Sequence, residues 1–353
     1  MRPHRTQRKR ALSTDPTDAA TKPGVSVLIC AHNEAENLTD YLQSVLLQDY
    51  PTFEVIVVDD GSMDNTRSIM EQYHRQDSRI HLTFVPAEAR VMSTKKLGIT
   101  LAAKAAKYDY LVLTDADCQP ASKNWLSRMV APFIANPETE IVLGYGAYFE
   151  KPTLLNRLIQ YDTLFNALHF LGRARSRMPY MGVGRNLAYK KDLFFRSGGF
   201  TDQMTVRSGD DDLFINKVAT RRNTAIVVHP EATTWSIAKP NWEEWWLQKR
   251  RHLSVSPMYN TRSKLHLSLE PVTRGLFYLV LILTFVLGSF WVQITAAVLW
   301  FTRILTQALC LNINAYRLRQ RGFSLGLIVW DIVLPILTFT IMSRRKNYIV
   351  QHW

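Results

Sequence analysis

The stretch VVDDGSMDNT at 57–66, read together with LTDADC at 113–118, decides the fold. Each begins in aliphatic, β-branched residues and breaks into aspartates, as a buried strand does where it leaves its sheet. Upstream, VSVLIC at 25–30 is a third such run and opens into AHNEAENL. The pattern then turns to a helical period through Leu38, Tyr41, Leu42, Val45 and Leu46. FEVIVVDD at 53–60 makes the second strand, with Asp64 a candidate cap for the helix after it. HLTFVP at 81–86, a helix over 94–107 and the strand YLVLTDAD at 110–117 continue the alternation. Strands alternating with helices imply an α/β layered domain with a mostly parallel sheet. In such sheets the ligand lies beyond the carboxyl ends of the strands. Those ends carry His32-Asn33-Glu34, Asp59-Asp60 and Asp115-Ala116-Asp117.

Further out the chain divides by composition. Residues 1–23 read as a flexible basic leader, 24–238 as the catalytic domain, 239–274 as an amphipathic interface segment and 275–353 as a membrane region. The middle holds a Gly- and Tyr-rich strand (VLGYGAYF, 142–149), a helix near 154–171, the loop GVGRNLAYKK (182–191) and the acidic turn SGDDDLF (208–214). NWEEWWLQKRRH at 241–252 places Trp beside a basic cluster, as a helix at a membrane interface does. No charged residue occurs from Gly275 to Thr302, and a second apolar stretch runs from Phe323 to Met342. A membrane-spanning helix needs about 20 residues, so a tight turn at Gly288-Ser289 would give two short crossings. Arg274 and the run Arg317–Arg321 would then share the cytoplasmic side. The third segment carries Asp331 and Pro335 and is followed by Arg344-Arg345-Lys346, which suits a re-entrant or interfacial helix better than a simple crossing.

The net charge is +13. Its Lys and Arg flank the apolar stretches and fill the N-terminal decapeptide, a placement that suits anionic headgroups rather than nucleic acid. Cys30, Cys118 and Cys310 are scattered and form no metal or disulfide framework. Walker, GxGxxG, HExxH and GxSxG patterns are absent, which removes the P-loop, dinucleotide, zincin and hydrolase classes. What remains is carboxylates gathered at one end of a sheet. They repel one another unless a cation or a donor-rich ligand sits among them. A hard divalent ion shared with substrate phosphates is the usual solution.

These motifs resemble those of family 2 glycosyltransferases with the GT-A fold, over about 25–252 and in the family's order. ICAHNEAENL resembles the PxxNE opening, with His32 and a missing proline as departures. Asp59 to Thr66 meet VDDGSxDxT, Asp115 and Asp117 meet DxD, and GVGRNLAYKK resembles the acceptor loop. Asp210-Asp211-Asp212-Leu213 approximates the ED-x-DL motif with Gly209 in place of Glu, and Gln248 to His252 approximates QxxRW with His252 in place of Trp.

The resemblance implies a nucleotide-sugar donor, most simply a UDP-sugar, contacted by His32, Asn33, Glu34, Asp60, Lys95, Lys96, Asp115 and Arg251. Asp117 and Asp115 would hold Mg2+ or Mn2+. Asp210 would be the catalytic base, with Asp211 the candidate if the alignment shifts by one. Gly184, Arg185, Asn186 and Gln248 would meet the acceptor. Few membrane segments favour single transfers to a membrane lipid or lipid-linked glycan by an inner-membrane, multi-pass enzyme with its catalytic domain in the cytoplasm. A processive polysaccharide synthase completed by a second copy or a synthase partner is the alternative. A tethered scaffold that has lost catalysis is a further one.

Overall fold

The computed structural model describes residues 22–343, except 87, 90–92, 207, 324 and 325. The basic leader and Arg344-Arg345-Lys346 therefore lie almost wholly outside the described residues.

The central sheet is built from β1 (Val25–Ala31), β2 (Phe53–Asp59), β3 (Ile80–Phe84), β4 (Tyr110–Leu113), β6 (Ile141–Leu143), β8 (Leu187–Lys190) and β9 (Thr224–Ile226), in the order β3-β2-β1-β4-β8-β6-β9. Strands β3, β2, β1 and β4 run parallel; β8 enters antiparallel to both β4 and β6. β1 and β2 are buried along their whole lengths but for Cys30, which explains their continuous apolar runs. After β1 the chain winds outward to β2 and β3, then returns to place β4 on the other side of β1. The carboxyl ends of β1 and β4 thus flank the point where the winding reverses, the usual crevice of an open α/β sheet.

Helix α1 (Ala35–Leu46) buries Leu38, Leu42, Val45 and Leu46, one stripe at helical spacing. α2 (Thr66–Gln76) starts where Asp64 accepts from the Thr66 amide at 3.0 Å and its second oxygen accepts from the Ala35 amide at 3.2 Å, so one carboxylate ties two helix starts together. α3 covers Thr94–Ala105, two residues shorter than its sequence pattern suggests. VLGYGAYF, expected as one strand, is two. Ile141–Leu143 stays in the main sheet, while β7 (Gly146–Tyr148) joins a second sheet with β5 (Cys118–Pro120) and β10 (Thr234–Ser236). The break falls at Gly144, where a Cβ would lie 2.5 Å from the Asn186 side chain.

α4 (Trp125–Ala135) and α5 (Leu154–Arg175) cover the sheet, followed by the short α6 (Lys191–Arg196) and α7 (Asp212–Val218). The Trp-rich helix α8 (Trp242–Ser254) buries Trp245 and leaves Trp242 exposed. Next come α9 (Thr261–Leu287), α10 (Phe290–Arg317) and α11 (Gly326–Ser343), all three long and apolar enough to cross a membrane. The turn between the first two falls at Gly288-Ser289, as the sequence suggests. α9 begins at Thr261 and passes unbroken through Arg274, so no element boundary lies at 274. α11, expected to be re-entrant or interfacial, is a continuous helix through Pro335, a form open to an interfacial helix and to a crossing one alike. Its Asp331 is fully buried and faces Arg303 and Arg274, while Tyr278 donates to it at 2.5 Å and Gln307 at 3.0 Å. An ionic group at that depth is tolerated because it is paired and hydrogen-bonded.

Polar contacts fasten these helices to the domain. Gln307 also donates to the Tyr161 hydroxyl at 3.0 Å, Gln320 donates to that of Tyr145 at 2.8 Å, and Arg321 pairs with Glu150 at 2.9 Å.

Candidate active site

Two strand ends make the first wall. Asn33, in the left-handed region at φ 56°, accepts from the Met63 amide at 2.8 Å, and its own amide donates to Ser62 at 3.0 Å. Asp59 accepts from the Ser62 amide at 2.9 Å, and the His32 ring meets the Asp60 carbonyl at 2.8 Å. Gly61 carries the left-handed backbone (φ 69°) that closes the turn. Glu34 is half-buried beside Asn37, and burial raises its carboxyl above the usual range. His32, Asn33, Glu34 and Asp60 thus form one clasp across β1 and β2.

The end of β4 supplies the acidic wall. Ligand atoms of Asp115, Asp117 and Cys118 lie within 4.8 Å of one another. Ser236, on β10, donates to Asp117 at 2.9 Å. Burial, then Asp117 and Asp115, push the Cys118 thiol well above its ordinary value, so it stays protonated and donates to Asp117 at 3.3 Å. The donors open to a cation are therefore the two half-buried carboxylates, a hard-oxygen set suited to Mg2+ or Mn2+.

Lys95 marks where a positive charge is wanted. Its ammonium lies 3.0 Å from Asp115 and 3.2 Å from Asp210, joining the end of β4 to the turn before α7. Burial opposes its charge, but Asp115, Asp210 and Asp211 outweigh that and hold its pKa well above the ordinary value. A lysine seated between two carboxylate groups is a stand-in for a cation, and the site fits one. Burial also acts against Asp210, yet the contact with Lys95 prevails and keeps that carboxyl below its usual range.

The neighbouring aspartates differ. Both oxygens of Asp211 are occupied, one by the Gly184 amide at 2.7 Å and the other by the Asp212 amide at 2.8 Å. Asp212 accepts from the Tyr259 hydroxyl at 2.6 Å. Burial, then Asp210 and Asp212, push Asp211 up to about 7; burial likewise lifts Asp212 to about 6. An acid whose folded pKa exceeds its unfolded value, about 3.9, binds protons more readily when folded. Stability is then lost as pH rises from that unfolded value through the folded one. The thermal midpoint of the metal-free chain is expected to fall between pH 5.5 and pH 8, and Asp211→Asn to flatten that slope. An unchanged slope in the variant would contradict the assignment.

The structure separates residues that the sequence groups together. Lys96, expected among the donor contacts, points the other way: it is fully buried and donates to the carbonyls of Gln203, Val206 and Ser208 at 2.7–2.9 Å. That shell leaves no approach for a phosphate. Asn186, expected to meet the acceptor, is also fully buried. It donates to the Tyr145 and Ala232 carbonyls and accepts from the Trp125 indole at 3.0 Å. Asn186→Ala would strand two buried polar groups, the Ala232 carbonyl and the Trp125 indole N–H, each costing about 1–3 kcal/mol, while the Tyr145 carbonyl keeps the Thr234 amide. A loss of at least ~2 kcal/mol in denaturant unfolding is expected, and a loss below ~1 kcal/mol would refute the bracing role. Arg185 is half-buried, donates to the Gly146 and Ala147 carbonyls at 3.2 and 3.3 Å and stacks 4.2 Å over the Tyr148 ring, with Gln248 at that tyrosine's hydroxyl. Arg251 and His252 follow on α8; burial, then Arg251, Lys249 and Arg185, hold the imidazole well below the usual histidine range. Ser236 and Tyr259 escape sequence reasoning because no motif contains them.

Residues 26–201 match the family described as glycosyl transferase family 2. Among curated proteins, a poly-β-1,6-N-acetyl-D-glucosamine synthase of Staphylococcus epidermidis is 30% identical over 147 residues, which cover 41% of this chain and 34% of that one. The glycosyltransferase AglE of Haloferax volcanii is 32% identical over 179 residues, 50% of this chain and 54% of its own. The matches thus span between about a third and about half of these relatives' lengths. Among solved structures, a mannosyltransferase of Pyrobaculum calidifontis in complex with GDP-Man and Mn2+ superposes with a TM-score of 0.59 at 21% identity, covering 93% of this chain and 88% of that one. The likeness shows the GT-A fold. The chain belongs to glycosyl transferase family 2, through the domain that residues 26–201 form.

Proposed function

We propose that this chain is a membrane-anchored inverting glycosyltransferase. It moves a sugar from a nucleotide-sugar, a UDP-sugar in the first instance, to a membrane lipid or lipid-linked glycan. The observation that carries this reading is the bridge of Lys95 between Asp115 and Asp210, which sets a cation-binding carboxylate and a base one side chain apart.

In this reading His32, Asn33, Glu34 and Asp60 hold the nucleoside, Glu34 and Asp60 as acceptors for base and ribose donors. Asp115 and Asp117 would hold Mg2+ or Mn2+, which would supply positive charge against the departing diphosphate. Lys95 stands beside that diphosphate. Arg185, Gln248 and Arg251 line the acceptor side, and Gly184 is fixed there by Asp211. Lys96 and Asn186 act as positioning residues behind the walls. Asp210 accepts the proton of the acceptor hydroxyl as its oxygen attacks the anomeric carbon. The bond from that carbon to the diphosphate breaks, and the nucleoside diphosphate leaves with the electron pair. One displacement without a covalent intermediate inverts the anomeric centre. The lowered pKa of Asp210 keeps it ionised and ready, while water exclusion on substrate closure would raise its basicity.

Three helices long and apolar enough to cross a membrane support a site beside one, and the flanking arginines support the cytoplasmic side. The test is a panel of UDP-, GDP- and other nucleotide-sugars with the full chain in nanodiscs, scored for radiolabel transferred to lipid extract. Transfer from a UDP-sugar giving a product one residue longer is expected. Transfer only from GDP-sugars would displace the donor assignment. A ladder of long products would favour the processive synthase, a reading kept in view by the poly-N-acetylglucosamine synthase relative.

A further inference from the structure

Between α5 and α10 runs a groove of about 470 Å³, within the size range of small-molecule sites. Phe165, Leu168 and Leu311 give it an apolar wall, and His169 and Arg173 stand at its polar end. Burial keeps His169 below the usual histidine range, so the positive charge there belongs to Arg173. Arg173 donates to the His266 carbonyl at 2.9 Å, which puts the first turns of α9 against the same end.

The surroundings are basic. Arg175 ends α5 and Arg177 follows on the turn after it, both exposed, and Arg262 and Lys264 are exposed on α9, about one turn or less from His266. The nearest acid on α9, Glu270, is engaged by Arg274. The groove also sits at the right level. His266 precedes the start of the uncharged run at Gly275 by nine residues, about 13 Å of helix. On α10 it meets Gln307 and Cys310, past the end of that run. An apolar slot with a cationic mouth therefore lies where an acyl chain would meet its headgroup.

We propose that this groove binds one anionic phospholipid of the surrounding bilayer, with the headgroup phosphate at Arg173 and an acyl chain against Phe165, Leu168 and Leu311. Charge complementarity selects an anionic over a zwitterionic headgroup, since a basic side chain near an anionic surface contributes about 1 kcal/mol. No part of this depends on the sugar-transfer reading, and either can fail alone.

The test is native mass spectrometry of the full chain in detergent, titrated with phosphatidylglycerol or with phosphatidylcholine of the same acyl chains. One phosphatidylglycerol is expected to be retained at least about fivefold more tightly, the weight of one basic contact. Arg173→Gln should abolish that preference and Arg173→Lys should restore part of it. Leu168→Trp, which fills the slot and leaves the charge, should weaken binding of both lipids. Arg222→Gln, at an exposed position on the catalytic domain, should change nothing. Equal retention of the two lipids, or an equal loss with Arg222→Gln, would overturn the proposal. So would displacement by inorganic phosphate alone. Displacement by a polyisoprenyl phosphate at far lower concentration would reassign the groove to a lipid-linked acceptor and overturn it too.

Discussion

Asp210→Asn is expected to lower sugar transfer by about 10²–10⁴-fold, the usual weight of a positioned general base, while binding of the nucleoside diphosphate is unchanged. Asparagine keeps the shape and cannot take the proton. Asp211→Asn provides the contrast. Its carboxylate is saturated by the amides of Gly184 and Asp212, so the substitution weakens a hydrogen bond and costs roughly tenfold or less. Single-turnover transfer with calorimetric nucleotide binding separates the two roles. Loss of transfer in Asp211→Asn with little effect in Asp210→Asn would exchange them and shift the motif alignment by one residue.

Asp117→Ala should reduce turnover about a thousandfold, corresponding to the several kcal/mol that a bound cation supplies at a departing phosphate. The residual rate should no longer respond to added Mn2+ or Mg2+. Ser236→Ala, which removes the donor 2.9 Å from Asp117, should raise the metal concentration needed for half-maximal rate and leave the rate at saturating metal nearly unchanged. A metal titration on the three proteins reads both effects. Full activity in Asp117→Ala would remove this carboxylate from the metal site.

The sheet and its acidic rim were legible because both are local. A fully buried strand writes itself as an apolar run, and the chain polarity fixes which end carries the aspartates. The apolar helical hairpin was legible for the same reason, since the turn-forming pair Gly288-Ser289 falls inside a long uncharged run. What could not be read are choices made by tertiary contact. Lys95 and Lys96 are adjacent in α3, but consecutive helical side chains point about 100° apart; one meets the aspartates and the other binds the carbonyls of Gln203, Val206 and Ser208. Asn186 sits inside an acceptor-like motif yet spends its hydrogen bonds on Trp125, Tyr145 and Ala232, each remote in sequence. VLGYGAYF has strand chemistry throughout, and only the close approach of Asn186 to Gly144 shows why it must divide between two sheets. Asp331 reads in the sequence as an obstacle to a simple crossing, and its pairing with Arg303, Arg274 and Tyr278 is again a matter of tertiary contact.

In the function proposed here, the carboxylates gathered by Lys95 belong to a cation-dependent sugar-transfer centre. Its most direct test is nucleoside diphosphate release from the nucleotide-sugar panel by the full chain in nanodiscs, with Mn2+, with Mg2+ and with chelator. Release that requires the divalent ion, rises with membrane lipid extract and disappears in Asp117→Ala is the expected result. Silence across the panel, with no nucleotide binding in the presence of either metal, would contradict the claim and leave a membrane-tethered protein that keeps the fold without the chemistry.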